Sequence, residues 1–383
     1  MHLKTMKWLV FIVILCPIVL FGQGFYIKNG ATVSVSESFT LAVSDSLVNQ
    51  GTLINNGSLV MGGVWLNTGT YVPGDGRITF NSTSTEQIIN HNAQAFSWLT
   101  IEGGGEKKFL ADIVVERELI LNDGIMVAEN NSKIIFDSDV IITGGSDVAH
   151  VNGAVQHSGA GTKLFPIGNG SVYLPVQLDN LTGSPEILVS HVELGGSTTL
   201  LKSSSLQSIS NQRYFSVEAI SGSLQSSTVT LPIRDESIIS SMQSAVVAQA
   251  SALNDPFTNL GSSDFTGSST NGSVTSQQAP TEILLAVASA DLSGVVVYNA
   301  IAPNGYEANR YMQIANLPEG SIVTIYNRWG DKVFEMAGYD DTVAGKRFEG
   351  VGLDGKELPS GNYFYKIELP DASPLTGFLS LKR

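Results

Sequence analysis

Cysteine is nearly missing from this chain: Cys16 is the only one in 383 residues. With no second thiol, intrachain disulfides and thiolate metal centres are excluded. Histidine is almost as scarce. His91, His150, His157 and His191 are scattered over strand-like or loop segments, and no His-Glu-x-x-His or His-x-His spacing gathers them. They read as satisfied surface histidines. Charge is low, at 15%, and short of bases, with 21 Lys+Arg against 35 Asp+Glu and a net −14. Phosphate binding needs clustered Lys and Arg, so nucleic acid and anionic lipid are excluded as partners. No Gly-x-Ser-x-Gly elbow occurs. Neither the Gly103-Gly104-Gly105-Glu106 run nor the Gly159-to-Lys163 run completes a phosphate loop. No catalytic, cofactor-binding or metal-binding residue is assigned, and no cofactor is expected.

Long apolar runs are also missing, with one exception. Trp8 to Phe21 is apolar and follows Lys4 and Lys7, the pattern of a secretory signal peptide with cleavage after Gly22. The run falls short of the roughly 20 residues a membrane span needs, and Pro17 interrupts it. Leu15 precedes Cys16 where a lipoprotein signal wants a small residue, so the cysteine leaves with residues 1–22. Loss of the two lysines takes the net charge from −14 to −16. The chain is read as exported.

What the sequence has in quantity is apolar residues (43%), 39 Gly, and many Ser, Thr and Asn. That mixture suits short strands joined by tight turns, and the expected class is all-β. Residues 23–190 carry an irregular repeat, with VNQGTL at 48–53, INNGSL at 54–59, LNTGTY at 66–71 and a looser LNDGIM at 121–126. The offsets of 6 and 12 residues between the first three copies point to a β-solenoid-like passenger, with an irregular sandwich or jelly roll as the competing architecture. Asn and Gly are expected to serve corners that need positive φ, with Leu, Val and Ile stacking inward. Residues 191–290 hold better-separated strands (213–220, 227–233, 244–250, 282–290), the pattern of a β-sandwich module. The polar stretch 261–279 reads as a long loop or an edge hairpin.

Acid pairs at strand spacing, such as Glu116 with Glu118 and Asp137 with Asp139, are candidates for glycosidic chemistry. Half-exposed strands produce the same spacing without function. A sugar-stacking platform would have to be built from Trp65, Trp98 and the tyrosines.

Residues 294–383 are the most informative. A strand runs into Pro303-Asn304-Gly305, and 321–336 reads as two strands joined through Asn327-Arg328-Trp329-Gly330. Gly338-Tyr339, Gly355-Lys356, Leu358-Pro359-Ser360-Gly361, Tyr363, Tyr365 and Gly377-Phe378 follow. Six or seven short strands in this length make an immunoglobulin-like β-sandwich the natural solution. Asn327 and Gly330 fit a hairpin turn, Arg328 is placed to stack on Trp329 or a neighbouring aromatic, and Pro359 and Gly361 shape the next corner.

In order and spacing these elements resemble the gliding-motility-associated C-terminal domain, the type B sorting signal of the Bacteroidetes type IX secretion system. Two positions depart from the pattern. Tyr306-Glu307-Ala308-Asn309-Arg310 replaces an acidic loop, which puts any Ca²⁺ site there in doubt, and Phe348-Glu349-Gly350 stands for Trp-Asp-Gly. The stretches 150–155 and 163–178 more weakly resemble a segment of large Bacteroidetes surface proteins. The resemblance implies passage through the periplasm, then recognition by the outer-membrane translocon with an SprF-like partner. It also implies a surface sortase that cleaves the domain and anchors the passenger at the outer surface. Two roles follow as expectations for the passenger. One is non-enzymatic, in adhesion or surface structure linked to gliding, with a polysaccharide or cell-surface ligand. The other is a carbohydrate-binding or carbohydrate-active β-helix.

Overall fold

The computed structural model describes residues 24–383 apart from 197, 240, 292–294, 306–308, 316, 319 and 371; the expected signal peptide lies outside the described residues. The described chain is nearly all β, with a short helical turn at Met242–Ser244. It divides into two compact units, one holding residues up to 193 with 215–225, the other holding 194–214 and 226–383.

The first unit is a β-solenoid. One parallel sheet runs Phe25–Ile27, Leu47–Asn49, Trp65–Asn67, Glu86–Asn90, Glu106–Phe109, Ile125–Ala128 and Val151–Asn152. A second parallel run stacks Thr40–Val43, Ser58–Met61, Arg77–Phe80, Ala95–Ile101, Ile113–Leu121, Lys133–Phe136 and Ala154–Ser158. A short third sheet (Thr32–Val35, Thr52–Asn55, Thr70–Val72) closes the triangle in the first coils. Parallel pairing in register puts like positions on top of one another, so the core is a set of ladders. Val43, Met61, Phe80, Ile101 and Leu121 form one such ladder, all buried. Each rung contributes roughly 1.5–3 kcal/mol of burial.

The first three copies of the Asn-Gly repeat work differently from the expectation above, whereas Gly124 of the looser fourth copy has the expected positive φ, at +119°. Asn49, Asn55 and Asn67 point inward and are fully buried, and neither they nor Gly51, Gly57 and Gly69 have positive φ. Each strand-end Asn ties its coil to the next. Asn49 Nδ2 donates to Asn67 Oδ1 at 2.7 Å and to the Thr70 carbonyl at 2.9 Å, while its Oδ1 accepts from Gly51 N–H at 3.1 Å. Asn55 repeats the pattern on Gly57 N–H and the Arg77 carbonyl. The glycines are needed for close approach: a Cβ on Gly51 would sit 2.3 Å from the Ala31 carbonyl oxygen, and one on Gly57 2.4 Å from that of Ser36. The repeat is therefore a stacking device, in which buried amides are kept because each is hydrogen-bonded.

Three of the four histidines, all but His191, depart from expectation too. His91 and His150 are fully buried and His157 nearly so. His91 lies flat on Phe96, with ring centroids 3.7 Å apart and planes at 6°, inside a shell of Trp65, Tyr71 and Asn67. Its Nδ1 accepts from Trp65 Nε1–H at 3.1 Å, and its Nε2 faces the Ala95 carbonyl at 3.3 Å. Burial holds it neutral, with its pKa lowered to about 3.

In the second unit, Ala245–Ala250 pairs antiparallel with Leu284–Ala290, flanked by Thr258–Asn259 and Leu206–Ile209. Thr228–Arg234, Asn271–Thr275 and Asp264–Gly267 form a second antiparallel group, so the polar stretch 261–279 contains an edge hairpin. The C-terminal part follows as two sheets. One pairs Val296–Tyr298 with Gln313–Ala315. The other orders Ala300–Ile301, Ala372–Leu381, Gly361–Leu369, Ile322–Tyr326 and Lys332–Ala337.

Candidate functional site at the C-terminal turn cluster

Ile322–Tyr326 and Lys332–Ala337 meet in a hairpin whose turn is built by one side chain. Asn327 Oδ1 accepts from the backbone N–H of Trp329 (2.8 Å) and of Asp331 (3.0 Å), and its Nδ2 donates to Asp331 Oδ2 at 2.9 Å. Gly330 sits at φ +87° with open space around it, so only backbone conformation requires glycine there. The result is a rigid tip on which Trp329 is 79% exposed, with the Arg328 guanidinium carbon 5.6 Å from its ring centroid. Burial does not explain a tryptophan so displayed; an exposed large aromatic on a stapled turn points to a partner.

The second wall comes from the segment before Gly361–Leu369. Tyr363 is buried and donates from its hydroxyl to the Pro359 carbonyl at 2.9 Å, which fixes the Leu358-Pro359-Ser360 corner. Between the walls lies an open cleft of about 390 Å³, lined by Asn327, Trp329, Val333, Pro359, Tyr363 and Phe364 among others. Arg383, which the sequence reading passed over, locks this end. Its side chain donates to the carbonyls of Leu358 (2.9 Å) and Gly350 (2.8 Å), and its backbone N–H to Ser360 Oγ (2.8 Å). It also reaches Asn304 Oδ1 at 3.4 Å, joining the Pro303-Asn304-Gly305 turn to the corner.

Beside the cleft, the outer sheet face carries an aromatic row. Tyr326 lies opposite Phe364, and Phe364 opposite Phe378, on adjacent strands. Phe364 and Phe378 are 50% and 53% exposed. Cross-strand apolar pairs usually face a core; this one faces solvent. Phe364 had a signal in the sequence, since it occupies the outward phase between Tyr363 and Tyr365. Nothing in the sequence marked Arg383.

The remaining motif residues build the domain. Gly338 (φ +63°) turns the chain so that Tyr339 is buried, its hydroxyl donating to the Met312 carbonyl and accepting from Phe348 N–H. Burial raises the Tyr339 phenol well above its ordinary pKa. Phe348 of the Phe-Glu-Gly variant fills the core, and Gly355 (φ +74°) makes a tight turn closed by Gly355 N–H on the Gly352 carbonyl. Gly377 makes room for Tyr365: a Cβ there would lie 2.3 Å from the Tyr365 hydroxyl oxygen. Of the variant loop, residues 306–308 lie outside the described residues, and Arg310 Nε donates to the Gly305 carbonyl.

The segment that holds this turn cluster is similar to a known family. Residues 295–381 match the CHU_C Type IX secretion signal domain. No curated protein and no solved structure matches the chain. A type IX signal domain implies engagement of the type IX secretion machinery and export to the outer surface or the medium. The match runs from the strand before Pro303-Asn304-Gly305 to the strand bearing Phe378 and stops two residues short of Arg383.

The solenoid's candidates land otherwise. Trp65 is fully buried, and the Arg77 guanidinium carbon lies 5.4 Å from the Trp98 ring centroid. Glu118 is committed to Arg77 at 2.7 Å, and Glu116 accepts from Ser97 at 3.1 Å. Asp137 is neighboured by Glu116, and desolvation followed by that charge raises its pKa. No group of three or more metal-capable side chains occurs among the described residues.

Proposed function

We propose that this chain is a non-enzymatic β-solenoid protein of the bacterial outer surface or secretome, delivered by the type IX system through its C-terminal domain. Its passenger has an adhesive or structural role in gliding cells, toward a polysaccharide or cell-surface ligand. The observation that carries the delivery half is the signal-domain match over residues 295–381, on a domain that displays Trp329 on a stapled turn. In this reading the Arg328–Trp329 tip and the Phe364–Phe378 row are what the outer-membrane translocon and its SprF-like partner grip. A surface sortase then acts on the delivered protein. The passenger half rests on a repetitive scaffold whose interior is packed with ladders, with Trp65 buried among them and Trp98 beside the Arg77 guanidinium. These features favour a scaffold over the sugar-stacking alternative.

The test is export of the full chain carrying Arg328→Ala and Trp329→Ala in a type IX-competent host. Both side chains are outside the core, so folding should be kept, while surface or medium protein should fall and periplasmic protein accumulate. Wild-type export of a folded double variant would remove the tip from the reading.

A further inference from the structure

The family match begins at residue 295, yet the core of the domain does not end there. Ala245–Ala250 and Leu284–Ala290 are buried along their whole length, on both faces. One face, with Val246, Ala248, Ala250, Ala286 and Ala288, belongs to a single buried cluster that continues without a break into Ile301, Met312, Val323, Ile325, Ile367 and Leu379 of the signal domain. The register pairs Ala248 with Ala286 and Val246 with Ala288, so the face is low and lets another layer come close. Such strands read as continuous apolar runs because neither face is wet.

Polar contacts pin the same junction. Ser373, fully buried, donates from Oγ to the Ala245 carbonyl at 3.1 Å. With its side-chain amide turned to donate, Gln277 reaches the carbonyls of Leu369 and Pro370, each at 3.2 Å. These bonds hold the hairpin between Gly361–Leu369 and Ala372–Leu381. Gly361 lies in the turn cluster and Leu369 at the junction, so one strand of nine residues, roughly 30 Å at ~3.3 Å per residue, connects the two.

We infer that the working export signal of this chain is larger than the matched segment: the sheet of residues 245–250 and 284–290 is its base, and Ser373 and Gln277 are positioning residues. The signal strands then reach their final order only on a folded neighbouring module, which ties presentation of the tip to the folding of what precedes it. The export half of this inference rests on the delivery reading above; the folding half stands without it.

Hydrogen exchange on the full purified chain tests the folding half. Ala248→Glu, which puts a charge into the shared cluster, should speed exchange in 322–326 and 361–369 as well as in 245–250. Ser373→Val leaves the Ala245 carbonyl unpaired and should speed exchange of the same signal strands by about tenfold, with Ser373→Thr restoring protection. Wild-type protection of 322–326 and 361–369 in both variants would overturn the inference. Export is measured in parallel with Trp329→Ala and with a chain ending before 294. Retention of these two and of Ser373→Val in the periplasm is the expected result. If the two controls are retained while Ser373→Val is exported as wild type, the inference fails and the delivery reading stands. If both controls are exported as wild type, the delivery reading fails.

Discussion

Acidification should unlock the solenoid through His91. Its two ring nitrogens are matched only in the neutral form, Nδ1 accepting from Trp65 Nε1–H and Nε2–H donating to the Ala95 carbonyl. A second proton on Nδ1 would face the indole N–H inside an aromatic shell, with no charge partner among the described residues. The folded pKa of about 3 lies below the ordinary 6.5, so the unfolded chain binds the proton first. Stability from this group is therefore fully present above pH 6.5 and is lost as pH falls toward about 3. At pH 5, about 1.5 units below the ordinary value, the loss is about 2 kcal/mol relative to pH 7.5. His157, with its pKa lowered to about 4 by burial and then by Lys163, adds a comparable loss at pH 5. The assay is urea unfolding followed by fluorescence of the solenoid tryptophans, from pH 7.5 to 4.5, on wild type and His91→Phe. The variant leaves Trp65 Nε1 unpaired and should be about 1–3 kcal/mol less stable at pH 7.5. Between pH 6 and 4.5 its stability should fall less steeply than wild type by about 1.4 kcal/mol per pH unit. Equal slopes in the two proteins would refute the assignment of the neutral, buried imidazole.

The remaining expectations concern two crowded glycines and the tip. Gly51→Ala should disrupt the second coil, because the Cβ meets backbone oxygens at 2.3 and 2.5 Å; circular dichroism melts should show a loss of at least about 2 kcal/mol. Gly377→Ala forces Tyr365 off its strand crossing and should cost about 1–3 kcal/mol, and Gly377→Ala with Tyr365→Leu should recover part of it. Asn327→Ala removes three turn hydrogen bonds and should loosen residues 327–331 in hydrogen exchange, with a global cost of about 1 kcal/mol. Trp329→Ala, by contrast, should change stability by under about 0.5 kcal/mol, since the ring is mostly in solvent.

The sequence carried the solenoid and the signal domain unequally well. Offsets of 6 and 12 residues with Leu, Val and Ile at fixed places revealed the coils, because ladders in a parallel stack need like residues at like positions. The role of the Asn-Gly pairs was hidden. Asn49 and Asn67 read as corner residues because Asn and Gly are common at positive φ, and only the coil-to-coil spacing shows that one is buried and the other crowded. Three of the histidines were misjudged for a related reason. Polar residues are assigned to the surface by default, and a partner such as Trp65, 26 positions away, is invisible to local pattern. In the signal domain, motif order was enough to place the turn cluster. Arg383 and the junction at Ser373 were not legible, since both depend on contacts between segments distant in sequence, Ala245 and Ser373 being 128 positions apart.

Fractionation of a type IX-competent host expressing the chain with and without residues 294–383, read by immunoblot and mass spectrometry, tests the central claim most directly. The account predicts that the intact protein reaches the surface or medium and that the shortened one stays in the periplasm. Arrival of both forms at the same place would contradict it.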